Sequence, residues 1–400
     1  MILRGKGLRS RFNKMWIILV KSLFPPGLFY NTPSRYVNIR KLLIEKDKTE
    51  SIVDVFAATE QTELLPEIYN YRVTERFGKY ANRTIPTAYV VRIKNGKVYG
   101  SETNIVLTST NLLAEDLSRE FGAYGGRKTK DISVLRQKRW LPEAEKVNGR
   151  VAVVTTTGCT NFHHWNYDCL PRLFLIKQAG LFAEVDYFLI SHQDLPFQKE
   201  SLQLMGIPKS KIINNYGKRQ LLQADELIVP SLPSILGTVS PWVVYFLRDL
   251  YNPKNGVSFV YERIFISRKN VTTRHIRNNQ YFLETLKTFG IAEIYPEDYS
   301  VNELSKVIAG AKFIISIHGS GLANLCFIRP GTIVVDILAP YHQDAYYWLI
   351  TNICGGRYIG FFGEGSHPND DLDLVKHKID ENIVVDTRML QQLLNRELSR

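Results

Sequence analysis

The chain has 400 residues, of which 44% are hydrophobic and 22% charged, an ordinary globular composition. That length exceeds the span over which one core usually grows, so two domains are expected. The net charge of +12 resembles a nucleic-acid signature only until it is located: residues 1–44 hold nine Lys or Arg and no acid, whereas the other 42 basic and 39 acidic residues leave only +3. No broad basic surface and no nucleic-acid partner follow.

The N-terminal segment, residues 1–45, alternates basic residues (Arg4, Lys6, Arg9, Arg11, Lys14, Lys21) with apolar ones (Met15 to Val20, Leu23, Phe24). Its longest apolar run is six residues, far below the ~20 needed to span a bilayer. The pattern fits docking on an anionic membrane surface, with Trp16 and Phe24 among the headgroups; a disordered basic extension is the plain alternative. Four cysteines, at 159, 169, 326 and 354, show no Cys-x-x-Cys spacing and suggest a reducing compartment. The expected place is therefore the cytoplasm, peripheral to the inner membrane. The sequons Asn82-Arg-Thr84 and Asn270-Val-Thr272 carry little meaning there.

From about 50 to 150 the periodicity is weak. Tyr89 to Ile93 and Val98-Tyr99 flank the turn Lys94-Asn-Gly-Lys97, a hairpin signal. Strands at Val151–Thr155, Tyr187–Ile190 and Glu226–Val229 then alternate with helices at His164–Gln178 and Pro196–Met205, which implies parallel βαβ units. Val229-Pro-Ser-Leu-Pro233 reads as the boundary, so that residues 46–235 form the first domain. The second, residues 236–385, opens with a helix at Pro241–Tyr251. It continues through the strand Arg263–Arg268 and an amphipathic helix running to about Phe289. Next come the strand Phe313–Ile317, the turn His318-Gly-Ser-Gly321, a short helix Leu322–Ile328, the stop Pro330-Gly331 and the strand Ile333–Ile337. Thr387–Leu398 is a closing helix, within residues 386–400.

Two strand ends in the second domain carry ligand chemistry. Gly319 and Gly321 let the backbone approach an anion, and the helix start behind them offers unpaired N–H groups. Asp336 stands where an acid accepts from ribose hydroxyls. Ser267 and Arg268 end the neighbouring strand, with Arg274, Arg277 and Asn278 at the next helix start, and guanidinium groups grip phosphates through paired hydrogen bonds. His318, Ser320 and Asn324 complete this set of nucleotide-contact candidates. His318 as a core residue, Asn324 as a loop cap and Arg274 with Arg277 as a solvated face are the structural alternatives.

Three blocks, Ile266-Ser-Arg268 with Arg274-x-Ile-x-Asn278, Ile317-His-Gly-Ser-Gly-Leu-Ala-Asn324, and Asn161-Phe-His-His-Trp165 with Asp168-x-Leu-Pro-Arg-Leu173, resemble the family 61 glycosyltransferases over roughly residues 150–365. The resemblance implies a GT-B fold, in which two Rossmann-like α/β domains face each other across a cleft. It implies sugar transfer from a nucleotide sugar with inversion at the anomeric carbon. The family usually carries Glu after the position of Asn278; this chain has Asn279.

Inverting transfer needs a base for the acceptor hydroxyl and a cation for the departing diphosphate. His164 and Asp168, four residues apart, share a helix face. Asp168 is the preferred base with His164 orienting it, because burial tunes a carboxylate upward; the reverse assignment and a purely loop-holding pair stay open. Arg172 is a candidate salt-bridge partner of the same cluster. Arg268, assisted by Arg274, and the amides after Gly319 are the candidates for the diphosphate. A metal is not expected, since Asp371-Leu-Asp373 has the Asp-x-Asp spacing but no strand before it. No cofactor beyond the nucleotide-sugar donor is expected, and the acceptor is expected to be a polysaccharide or a lipid-linked glycan. A non-catalytic nucleotide-sugar or glycan scaffold, motivated by Asn279, is the rival. An NAD oxidoreductase is disfavoured, because Asn324 stands where the third glycine of Gly-x-Gly-x-x-Gly would be.

Overall fold

The computed structural model describes residues 15–17, 19–24, 30–73, 75–100, 104–122, 125–126, 128–136, 140–251, 261–269, 273–341, 344–365 and 381–399. The second sequon and Asp371-Leu-Asp373 lie outside them, as do residues 1–14 of the basic segment. Two large sheets organise the molecule, one mixed and one wholly parallel.

The parallel sheet is built from short β-branched runs buried on both faces, as crossover helices require. Its spatial order is Ala292–Ile294, Arg263–Ile266, Phe313–Ile317, Ile333–Leu338, Arg357–Phe362 and Glu67–Ile68. The chain winds outward one way from Arg263–Ile266 to Ala292–Ile294, then returns to the other side at Phe313–Ile317. Between Arg263–Ile266 and Phe313–Ile317 the winding therefore reverses, and the crevice at the carboxyl ends of such a strand pair is where open α/β sheets bind ligands.

The mixed sheet repeats this logic in its parallel part. Gln220–Pro230, Ala144–Val153, Tyr187–Leu189 and Ile212–Ile213 lie side by side in parallel, which puts the reversal between Ala144–Val153 and Gln220–Pro230. Antiparallel strands extend the other edge. The expected hairpin is absent there: Ala88–Lys94 pairs with Glu226–Pro230 and Lys97–Gly100 with Gln220–Gln223, end to end along one long strand. Asn95 at φ 53° kinks the chain without reversing it, because its N–H is held by the Asp225 carbonyl at 2.8 Å.

The sheets do not form two self-contained units. Glu67–Ile68, from the first half of the sequence, is the edge strand of the parallel sheet. One contiguous apolar cluster runs from Ala152 and Leu173 in the first half to Ile266, Ile314 and Leu338 in the second. Polar bonds stitch the same seam: Tyr167 donates to the Ala323 carbonyl at 2.8 Å, Tyr251 to Asn166 Oδ1 at 3.0 Å, and Glu200 accepts from Val301 N at 2.8 Å and Asn302 N at 2.9 Å. Both the edge strand Glu67–Ile68 and this shared cluster thus cross the boundary read at residues 229–233. The closing helix Thr387–Leu398 buries Leu390, Leu393 and Leu394 with Phe265, Ile315 and Val335 of the parallel sheet, so it packs on the second sheet and does not cross to the first.

Candidate active site

Helix formation at Phe162 is fixed by Asn161, whose Oδ1 accepts from the His163 and His164 amides at 2.9 and 3.4 Å. The expected uninterrupted helix carries one π turn, Trp165–Cys169, before continuing as Leu170–Gln178. Such insertions recur at functional sites, since they re-aim side chains within a helix. Within this turn His164 Nδ1 lies 2.8 Å from Asp168 Oδ2. Arg119 donates from one Nη to Asp168 Oδ1 at 3.2 Å and from the other to the Ser234 carbonyl at 2.7 Å.

Burial alone would raise the Asp168 carboxyl. The His164 bond and the Arg119 charge outweigh it and hold the group at about 2, below its ordinary 3.8. Asp168 is therefore a carboxylate at neutral pH and a weak proton acceptor. Gly158, with φ +77°, leaves room for the imidazole, because a Cβ there would stand 2.9 Å from His164 Cδ2. His163 is buried and stacks on Tyr167 at 4.8 Å, with Tyr346 at 4.8 Å and Tyr347 at 5.7 Å around it. Burial, then the neighbouring His164, pushes its imidazole down to about 3, so it is neutral.

Arg172 is not an ion-pair partner of this cluster. It is wholly buried and donates to the Thr155 carbonyl at 2.8 Å and the Pro230 carbonyl at 3.1 Å, pinning the two strand ends between which the first sheet reverses.

At the second sheet's reversal lies a cavity of about 460 Å³. That falls within the ~300–1,000 Å³ of small-ligand sites. Ser267, Arg268, Ser320, Gly321 and Asn324 line one side, while Thr160, Asn161, Phe162, Phe197 and Glu200 of the first half line the other. The glycines serve close packing: a Cβ on Gly319 would meet Arg268 Nη1 at 3.2 Å, and one on Gly321 would meet Ile266 Cγ2 at 3.2 Å. The turn continues into a 3₁₀ helix, Ser320–Phe327, and not the α-helix expected from Leu322. Asn324 donates to the Gly321 carbonyl at 2.9 Å, and its Oδ1 has no protein partner.

Five expected nucleotide contacts, Gly319, Asp336, His318, Asn278 and Arg274, do not line this cavity, and the last four have visible structural tasks. Asp336 is fully buried, accepting from the Tyr358 hydroxyl at 2.8 Å and facing His318 Nδ1 at 2.8 Å, so it does not reach a ribose. His318 is correspondingly buried. Asn278 exchanges both side-chain bonds with Val385, at 2.7 and 3.1 Å. Arg274, at φ +58°, donates to the His318 carbonyl at 2.7 Å and so braces the glycine turn from behind. Asn279 is exposed on the first turn of the helix Asn279–Thr288, away from the cavity.

Residues 162–335 match the family model described as Glycosyltransferase 61. The chain carries a glycosyltransferase family 61 domain. The match opens at Phe162, on the helix of His164 and Asp168, and closes at Val335 in the fourth strand of the parallel sheet, so it includes both strands that flank the reversal of the parallel sheet and, of the first reversal, only the strand Gln220–Pro230. A domain of this kind, here over residues 162–335, implies sugar transfer and hence a sugar donor and an acceptor. No curated protein matches the chain.

Among functional candidates the sequence did not single out are Arg119, Gly158 and His163, together with the cavity wall of Phe197, Glu200 and Tyr299. His163 and Gly158 had a local signal, lying in or beside the Asn161–Trp165 block. Arg119 had none. Among the described residues no group of three or more His, Cys, Asp or Glu is arranged to hold a metal ion. Likewise no helix among them is long and apolar enough to cross a membrane.

Proposed function

We propose that the domain transfers a sugar, with inversion, from a nucleoside-diphosphate donor to a hydroxyl of a polysaccharide or lipid-linked glycan, without a metal ion. The observation that carries this reading is the coincidence of the cavity with the reversal point of the parallel sheet, with Arg268 and the glycine turn on its wall. The diphosphate lies against Arg268 and the Ser320–Gly321 backbone, and the base against Phe162, Phe197 and Tyr299. Asn324 Oδ1 accepts from a donor hydroxyl or N–H. His164 takes the acceptor proton through Nε2 while Asp168 holds the Nδ1–H tautomer and stabilises the imidazolium. This reverses the order preferred from sequence, since a carboxyl held at about 2 is a poor base. As the acceptor oxygen bonds to the anomeric carbon, the bond from that carbon to the diphosphate breaks, and Arg268 stabilises the charge that develops. The matching location is cytoplasmic, at the inner face of the membrane, through residues 1–24.

Thermal stabilisation against a panel of nucleoside diphosphates and their sugars, with and without EDTA, tests it. One nucleotide class should raise the melting temperature in EDTA as in its absence, because a ligand bound to the folded state stabilises by mass action. No shift with any of them contradicts the donor site, and a shift lost in EDTA contradicts metal independence.

A further inference from the structure

The N-terminal segment is not simply a charged extension. Residues 15–17 and 19–23 are helical, and Met15, Trp16, Leu19 and Leu23, spaced as one helix stripe, are 70%, 52%, 49% and 65% exposed. The opposite side is fixed to the protein body. Val20 is buried, and Lys21 Nζ donates to the carbonyls of Pro33, Val134 and Leu135 at 3.2, 3.2 and 2.9 Å. Tyr30 closes the segment by donating to the Phe24 carbonyl at 2.7 Å. A stripe of this kind normally faces a core. Here the polar anchor faces the protein and the apolar stripe faces away from it.

A second apolar side chain comes from far along the sequence. Trp140 is 51% exposed, and its neighbour Leu141 donates to Asn31 Oδ1 at 2.5 Å, close to where Lys21 is held. The stretch preceding the helix supplies Arg4, Lys6, Arg9, Arg11 and Lys14 with no acid. Apolar residues, two exposed tryptophans and uncompensated cations together match the three zones of an anionic bilayer: acyl boundary, headgroup level and charged surface. We infer that Met15, Trp16, Leu19, Leu23 and Trp140 form one docking face that inserts shallowly into an anionic membrane, with Lys21 as the fixing point between that face and the enzyme. This deepens the membrane part of the proposed function. Further along the chain, the helix Ile39–Glu45 borders, with Arg119 and Ser234, a cavity of about 820 Å³, and Arg119 on its wall bonds Asp168. Docking would present that side of the dyad to a lipid-linked acceptor.

Flotation of the full chain with phosphatidylcholine vesicles, with and without phosphatidylglycerol, tests the inference at physiological salt. The protein should float only with the anionic vesicles, and its tryptophan emission should shift to the blue. Leu19→Glu with Leu23→Glu should lower the bound fraction about tenfold or more, and Trp140→Ser about threefold, with melting temperatures unchanged because all three positions are exposed. Failure of the wild-type chain to float, or equal binding by the double variant, overturns the inference. Equal binding by Trp140→Ser overturns the two-segment face. If sedimentation shows self-association that the double variant abolishes, with no vesicle binding, the face joins two copies of the chain and the inference is wrong. Donor-induced thermal shifts run in parallel keep failure of the sugar-transfer reading distinguishable from failure of docking.

Discussion

Arg119 and Asp168 are 49 residues apart in sequence and 3.2 Å apart in space, and the same guanidinium holds the Ser234 carbonyl at 2.7 Å. The contact ties the dyad to the loop after the strand Gln220–Pro230, and it keeps the Asp168 carboxylate charged. Removing it as Arg119→Met should lower kcat about tenfold with donor affinity retained, since the group acts on the proton acceptor and not on the donor. Steady-state kinetics beside calorimetric donor binding would check this split.

The Asp168 carboxyl is depressed to about 2 from 3.8. Between those values the unfolded chain binds a proton that the folded one does not, so the stability it contributes is complete above about pH 4 and is lost as the pH falls toward 2. It follows that Asp168 gives no acid limb to the kcat/KM profile above about pH 4. A limb above that value that vanishes in Asp168→Asn, while donor binding stays intact, would return the base role to the carboxylate.

His163 makes a larger contribution of the same sign. Its imidazole is held at about 3 by burial, against an ordinary 6.5. The unfolded chain takes up a proton as the pH falls through 6.5, whereas the folded chain does not until near 3, so stability is present above 6.5 and drains away below it. His163→Phe preserves the stacking on Tyr167 and leaves no group to titrate. Its melting temperature should fall less than that of the wild type between pH 7 and about pH 5; parallel slopes in a fluorimetric scan would refute this.

Gly158 is tested by the space it leaves. With φ at +77° and a Cβ site 2.9 Å from His164, Gly158→Ala strains the backbone and pushes the imidazole. A stability loss of about 1 kcal/mol and a kcat loss of roughly tenfold to hundredfold are expected, with donor binding unchanged. Chemical denaturation and kinetics measure the two separately.

On the donor side, Arg268→Lys keeps the charge but loses the planar fork, and should weaken nucleoside-diphosphate binding about tenfold. Gly319→Ala, whose Cβ would press on Arg268 Nη1 at 3.2 Å, should act in the same direction but less strongly. Calorimetric titration of both variants checks the order.

What the sequence disclosed was local. Strands feeding turns at Ile266-Ser-Arg268 and Ile317-His-Gly319 are contiguous runs, so period and glycine placement revealed them, and the two meet at one cavity wall as the sheet order requires. The His164–Asp168 spacing fits one helix face, although the π turn that refines it has no sequence mark. Long-range pairings were not legible. Asp336 occupies a position suited to ribose binding, and only the arrival of Tyr358 from the next strand and of His318 from the turn reveals a buried polar cluster. Asn95-Gly96 has hairpin chemistry, but an 11-residue strand at Gln220–Pro230 offers both flanking runs a better partner than each other. Glu67 was equally hidden: its edge strand is held by Arg357 and Arg396, 290 and 329 residues away.

The most direct measurement is release of nucleoside diphosphate from the donor sugar selected by thermal shift, followed for the wild-type chain and for His164→Ala with donor binding titrated alongside. The account predicts turnover by the wild type, and in the variant a loss of about a hundredfold or more at unchanged donor affinity, as removal of a general base produces. Equal turnover by the variant would contradict the assignment of His164, and donor binding without any turnover by the wild type would contradict sugar transfer by this chain.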